Sequence, residues 1–212
     1  GDRNPEWINK DYFDGKEAVR SPESEACYKK EWKEIMDCLY NYPCIGIWVP
    51  FNEAWGQFKT KEIAAWTKSY DPTRLVNSAS GGNHYYRCGD ILDLHNYPDP
   101  EMYLFDAKRV NVLGEYGGIG YPVEGHLWTP DRNWGYIQFN STEAVTDEYI
   151  RYAEILEKMI SRGFSAAVYT QTTDVEIEVN GLMTYDRKVV KVNEDRIRET
   201  NKRLTGIQFP EK

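Results

Sequence analysis

One stretch constrains this 212-residue chain more than any other: Cys44-Ile-Gly-Ile-Trp-Val-Pro-Phe-Asn-Glu-Ala-Trp-Gly-Gln57, an apolar run that ends abruptly in Asn52 and Glu53. Ile45, Ile47, Trp48 and Val49 have the continuous apolar character of a strand buried on both faces of a parallel sheet. Pro50 has no N–H to donate and ends the ladder. Asn52 and Glu53 therefore fall at the strand's C-terminal end, where α/β folds bind ligands. A carboxylate there, beside an amide, Trp48 and Trp55, is a candidate site; a glutamate salt-bridged at a strand end is the plainer alternative.

The rest of the chain repeats this arrangement. Ser21 caps a helix with Pro22 at its first position and Trp32, Ile35, Met36 and Leu39 on one face; Asn41-Tyr-Pro43 stops it. Thr60 caps a second helix carrying Ile63 and Trp66, and Asp71-Pro-Thr-Arg74 is a turn. Leu75 to Asn77 is a second strand, followed by the polar loop Ser78 to Asn83. Ile91 to Leu94 is a third, ending in His95-Asn96-Tyr97-Pro98, and a short helix spans 100–107. Val110, Val112 and Leu113 form a fourth, which delivers Glu115 just before two glycines that let the backbone turn sharply. The loop 119–140, rich in Trp, Tyr, Pro and Asn, is long enough to belong to a site. Asn140 and Glu143 cap the strongest helix, with Val145, Tyr149, Tyr152, Leu156 and Met159 on its apolar side and Gly163 at its end. Phe164 to Tyr169 is a fifth strand, then come Thr170-Gln-Thr-Thr-Asp174 and a last helix from Asn193 to Leu204.

This alternation implies an α/β fold with a parallel sheet, and polar clusters after successive strands are the pattern of a (β/α)8 TIM barrel's catalytic face. A closed eight-stranded barrel takes about 250 residues. The expectation is therefore one domain over 1–212 holding part of a barrel, five strands with their helices, from the C-terminal portion of a longer enzyme; the resemblance described below implies that these are strands four to eight.

A formal charge of −8 and a pI near 5.0 argue against nucleic acid or an anionic membrane as the main partner. Nothing is long and apolar enough to span a membrane, and the first residues do not resemble a signal peptide. With 7 Trp and 16 Tyr, many beside Asn, Asp, Gly and Pro, the chain suits a hydroxylated, partly apolar ligand such as a sugar. Cys27, Cys38, Cys44 and Cys88 show no metal-ligand spacing and read as buried free thiols; His84, His95 and His126 are too scattered for a zinc motif. Compartment and oligomeric state stay open.

Two glutamates at the ends of different parallel strands fit glycoside hydrolysis, in which one carboxyl protonates the leaving oxygen and the other attacks the anomeric carbon or activates water. Trp48-Val-Pro-Phe-Asn-Glu-Ala-Trp-Gly56, Val112-Leu-Gly-Glu-Tyr-Gly117, and Tyr169-Thr-Gln-Thr-Thr-Asp-Val-Glu176 with Asn180-Gly-Leu-Met-Thr-Tyr-Asp186 together resemble the catalytic domain of glycoside hydrolase family 2, from about Ser21 to Leu204. The resemblance implies a retaining, β-galactosidase-like hydrolase: Glu53 the acid/base, Asn52 on the sugar 2-hydroxyl, Glu115 the nucleophile and Tyr97 its orienting tyrosine. His95, Asn96 and Gln171 are further candidates for substrate contact, and Trp55, Trp128 and Trp134 for ring platforms; Asp174 either reaches the sugar or closes a turn. Tyr169 and Gln171 stand where the family commonly has a tryptophan, and no Asn-x-Lys follows that strand, which favours a neutral sugar over a uronide. No cofactor is expected, with a divalent metal in the complete enzyme left open. A non-catalytic carbohydrate-binding fragment is the alternative reading.

Overall fold

A computed structural model of the chain describes residues 6–13 and 15–208. Its elements are β1 (Glu6–Trp7), α1 (Pro22–Leu39), β2 (Ile47–Trp48), a 3-10 turn at Ala54–Gly56, α2 (Thr60–Tyr70), β3 (Leu75–Val76), β4 (Ile91–Asn96), β5 (Leu104–Phe105), β6 (Val110–Gly117), β7 (Ile119–Gly120), β8 (Ile137–Gln138), α3 (Thr142–Ile160), β9 (Phe164–Thr170) and α4 (Glu194–Gln208). They fall into two compact units, Asp2–His95 with Tyr103–Val112, and Asn96–Met102 with Leu113–Lys212.

In the first unit β2 runs parallel to β3, with Trp48 opposite Val76. Parallel bridges continue the pairing from Asn52 to Ser80 and from Asn77 to Ile91 at the start of β4. β5 runs parallel to β1, and β4 lies beside β6. The opening strand is narrower than its composition implies: Trp48 and Pro50 are buried while Ile47 and Val49 are exposed. Its burial thus alternates with the period of two expected when only one face is covered.

Helix α1 begins as expected, with the Ser21 hydroxyl accepting the Ser24 N–H and Pro22 at its first position. Met36 is buried, and the Trp32 indole donates to Thr67 and meets Trp48 edge-on, but Ile35 faces outward. Thr60 is not a cap. It opens α2, and the Glu17 carboxylate accepts both its N–H and its hydroxyl, placing a negative charge at the helix's positive end. Asp71 is buried where Trp48, Thr73 and Arg74 all donate to it. Burial alone would raise its carboxyl; the donors together hold it well below the usual range. The segment expected as a helix at 100–107 contains β5 instead. Met102, Leu104 and Phe105 are buried, and the Asn111 side chain pairs with the backbone of Asp106 as a neighbouring strand would.

In the second unit β9 lies beside β6, and β7 runs parallel to β8, so the loop 119–140 carries ladder structure of its own. The cap of α3 is Ser141, whose hydroxyl accepts the Ala144 N–H, one residue later than Asn140. Its expected apolar side, Val145, Tyr149, Tyr152, Leu156 and Met159, is buried throughout. Asn193 caps α4 by accepting the Arg196 N–H.

The four cysteines are free thiols, but only Cys88 is buried; Cys27 and Cys38 lie on the outward face of α1, and Cys44 is exposed. The fold is α/β with parallel strand pairs, and among the described residues the strands do not close a barrel. No described helix is long and apolar enough to cross a membrane.

Candidate active site

The first unit positions Glu53. The Asn52–Ser80 bridge and the Glu53 N–H to Ser80 carbonyl bond, 2.8 Å, extend the ladder one step past β2, and the chain then breaks into the 3-10 turn. Glu53 itself has φ 60°, a left-handed conformation that costs a non-glycine residue of order 1–3 kcal/mol. This backbone turns the carboxylate toward two nitrogen-bearing rings. The Trp55 indole lies 3.2 Å from Oε2, and Nδ1 of His95 lies 3.3 Å from Oε1.

His95 ends a longer chain of hydrogen bonds. Its Nε2 is 2.8 Å from the Ser80 hydroxyl, which donates to Asp93 Oδ2 at 2.9 Å, and Asn77 donates to the same oxygen at 2.6 Å. A carboxylate only accepts, so the serine proton goes to Asp93 and the serine oxygen accepts from Nε2–H. A neutral His95 then presents a bare Nδ1 to Glu53. One proton can therefore reside on either the glutamate or the imidazole. The ring lies flat against Gly81, where a Cβ would come within 2.7 Å of it and where φ is +67°, so a side chain at 81 would displace it. Glu53, Trp55 and His95 line a cavity of about 440 Å³ with Gly15, Lys16, Ala54, Gly82 and Tyr103.

The second unit positions Glu115 near the C-terminal end of β6. The Tyr97 hydroxyl donates to its Oε2 at 2.5 Å. Burial first, and then this bond, push the Tyr97 phenol well above the usual tyrosine range, so it stays a donor. Behind the strand, the Tyr169 ring packs where a Cβ on Gly117 would stand, in contact with Tyr116 and Tyr149.

The remaining candidates divide. Asn52 is exposed beside Glu53, and Trp55 is 78% exposed. The Asn96 amide donates to the Asp99 carbonyl and so closes a turn. Gln171 donates to the Asn180 side chain at 2.8 Å. Trp128 is exposed and meets Tyr185 edge-on, next to the His126–Asp186 pair. Asp174 closes a turn and does not face outward: it is buried against Lys191 at 2.6 Å and accepts the Gly181 N–H.

Sequence reasoning passed over Lys16, Ser80, Asp93 and Tyr136. A signal existed for one of them, since Asp93 and His95 alternate with Leu92 and Leu94 and so share a strand face.

Against known families, the chain matches the family described as glycosyl hydrolases family 2, TIM barrel domain, over residues 8–207. The chain belongs to glycoside hydrolase family 2. Comparison with individual curated proteins found no match. For this family 2 domain the substrate class is carbohydrate, and the matched span takes in both glutamates and both units.

Proposed function

We propose that this family 2 domain is the catalytic part of a retaining, β-galactosidase-like glycoside hydrolase. Glu115 attacks the anomeric carbon while Glu53 passes its proton to the departing glycosidic oxygen, so that a glycosyl–Glu115 ester replaces the glycosidic bond. Glu53 then takes a proton from water, whose oxygen displaces Glu115 and releases the sugar with its configuration retained. Asn52 holds the 2-hydroxyl, and Tyr97 orients the nucleophile.

The observation that carries this reading is the bond from Tyr97 to Glu115, 2.5 Å, because a donor on Oε2 fixes the rotation of a carboxyl that must attack along one line. The proton neighbour His95 beside Glu53 suits the other role, since an acid/base must both give and regain a proton. Both steps are complete with two carboxylates and water, and we propose no cofactor for them. β2, β3, β4, β6 and β9 stand for strands four to eight of the family's barrel, a reading supported by each lying beside the next. Among the described residues no feature favours binding without turnover.

Replacing Glu53 tests the acid/base role in the full-length protein. Glu53→Ala is expected to lose about 10²-fold or more on a β-galactoside with a poor leaving group. Azide should restore turnover of an activated aryl glycoside and yield a β-glycosyl azide. Near-normal activity without rescue would reject the role.

A further inference from the structure

We propose that Tyr136 is a positioning residue for the candidate nucleophile, acting through Tyr97; the inference rests on the reading of Glu115 given above. The two tyrosine rings lie parallel, 5° apart in plane, with centroids separated by 3.9 Å. One covers a face of the other. Tyr97 is the residue whose hydroxyl holds Glu115, and a tyrosine side chain has two rotatable torsions through which that hydroxyl can swing away. A flat ring against it removes that freedom and keeps water from that face.

The stack is built into the end of the nucleophile's own strand. The Tyr136 N–H donates to the Gly118 carbonyl at 3.1 Å, just beyond β6. A Cβ on Gly118 would lie 2.3 Å from Cδ2 of the Tyr136 ring, and φ there is +65°, so glycine is the residue that admits the ring. Trp134 also meets Tyr136 edge-on at 5.4 Å, and the Trp134 backbone is paired with Ile177 and Val179. Yet Tyr136 is 47% exposed. A tyrosine placed only to fill the core would be buried; this one has its backbone tied, a neighbour at its edge and one face on Tyr97. The loop 119–140 thereby takes part in orienting Glu115 through Tyr97.

The test uses the full-length protein with tyrosine labelled at Cζ, the Tyr97 signal being assigned by its loss in Tyr97→Phe. In wild type and in Tyr136→Phe, which keeps the stack, the signal should stay unshifted to about pH 11, whereas in Tyr136→Ala and Tyr136→Leu it should titrate near the ordinary tyrosine value of about 10. Trapping by dinitrophenyl 2-deoxy-2-fluoro-β-galactoside should slow about 10-fold to 100-fold in Tyr136→Ala and Tyr136→Leu, as in Tyr97→Phe, and less than about 3-fold in Tyr136→Phe. The double variant Tyr97→Phe with Tyr136→Ala should be no slower than Tyr97→Phe alone. An unchanged Tyr97 titration in Tyr136→Ala, or additive slowing in the double variant, would overturn the inference. Glu115→Gln separates the two readings. If that variant were labelled like wild type, the role of Glu115 would fail, while the titration, which needs no turnover, would still judge the link from Tyr136 to Tyr97.

Discussion

His95 stands between Glu53 and Ser80, and the protons on its neighbours decide its own. Because Ser80 gives its proton to Asp93, the imidazole keeps N–H at Nε2 and offers Nδ1 to Glu53. This makes a specific demand on the kinetics. His95→Gln places its amide near the former Nε2 and keeps a partner for Ser80, but nothing remains at the position of Nδ1. On a β-galactoside with a poor leaving group it should lower kcat/KM by about 10-fold to 100-fold, a part of what general acid catalysis supplies. On a dinitrophenyl glycoside, whose leaving group needs no proton, the loss should be much smaller. Equal losses on both substrates would show that His95 serves binding and not proton transfer. Glu53, Tyr97 and Glu115 stand out in the chain because Glu53 and Tyr97 follow strands and Glu115 lies near the end of one. Ser80 and Tyr136 were not, since what defines each is a ring or carboxylate brought near by the fold, and a polar loop looks the same with or without it.

Elements explain how the segment after β9 is held. Lys191 is buried with its ammonium on Asp174 Oδ1 at 2.6 Å, the Val179 carbonyl at 2.8 Å and the Tyr121 carbonyl at 3.1 Å. It ties three stretches of chain into one, including the turn that carries Gln171. Burial raises the Asp174 carboxyl and lowers the Lys191 ammonium, in each case against the hydrogen bond between them. Lys191→Met leaves a carboxylate buried without its cation and should destabilise the fold by about 3–5 kcal/mol. Asp174→Asn with Lys191→Met removes both charges and should recover a large part of that. Denaturant unfolding of the two variants measures the difference; equal losses would show that the charge pair is not what matters. This network was invisible in the sequence because a lysine reads as solvated by default. Helices were easier. The apolar side of α3 was legible from its spacing, whereas β5 was taken for a helix and the cap of α2 comes from distant Glu17.

At the scale of the whole molecule, each compact unit carries one of the two glutamates, so the proposed two-glutamate reaction calls for both units to be folded. The first unit has a built-in acid sensitivity. His84 is buried beside Tyr12, and burial first, then the charges of Arg109 and His95, lower its pKa to about 4. An unfolded chain binds that proton near 6.5, so the depressed group favours the fold above this pH and loses that contribution as pH falls toward the folded value. About 3 kcal/mol of stability should disappear between pH 6.5 and 4 on this account. His84→Phe, which keeps a ring against Tyr12, should show a correspondingly flatter profile in the same range. An unchanged slope would assign the acid loss to other groups. The α/β class and the family were legible because strand ends and candidate carboxylates coincide in the sequence. The division into two units was not, because β4 and β6 each contribute residues to both and no change of composition marks the boundary.

The central claim is that Glu115 forms a covalent bond to the sugar. Incubating the full-length protein with dinitrophenyl 2-deoxy-2-fluoro-β-galactoside and mapping the labelled peptide by mass spectrometry tests it most directly. One fluorosugar per chain is expected, attached at Glu115 and absent from Glu115→Gln. A label on another residue, or equal labelling of Glu115→Gln, would contradict it.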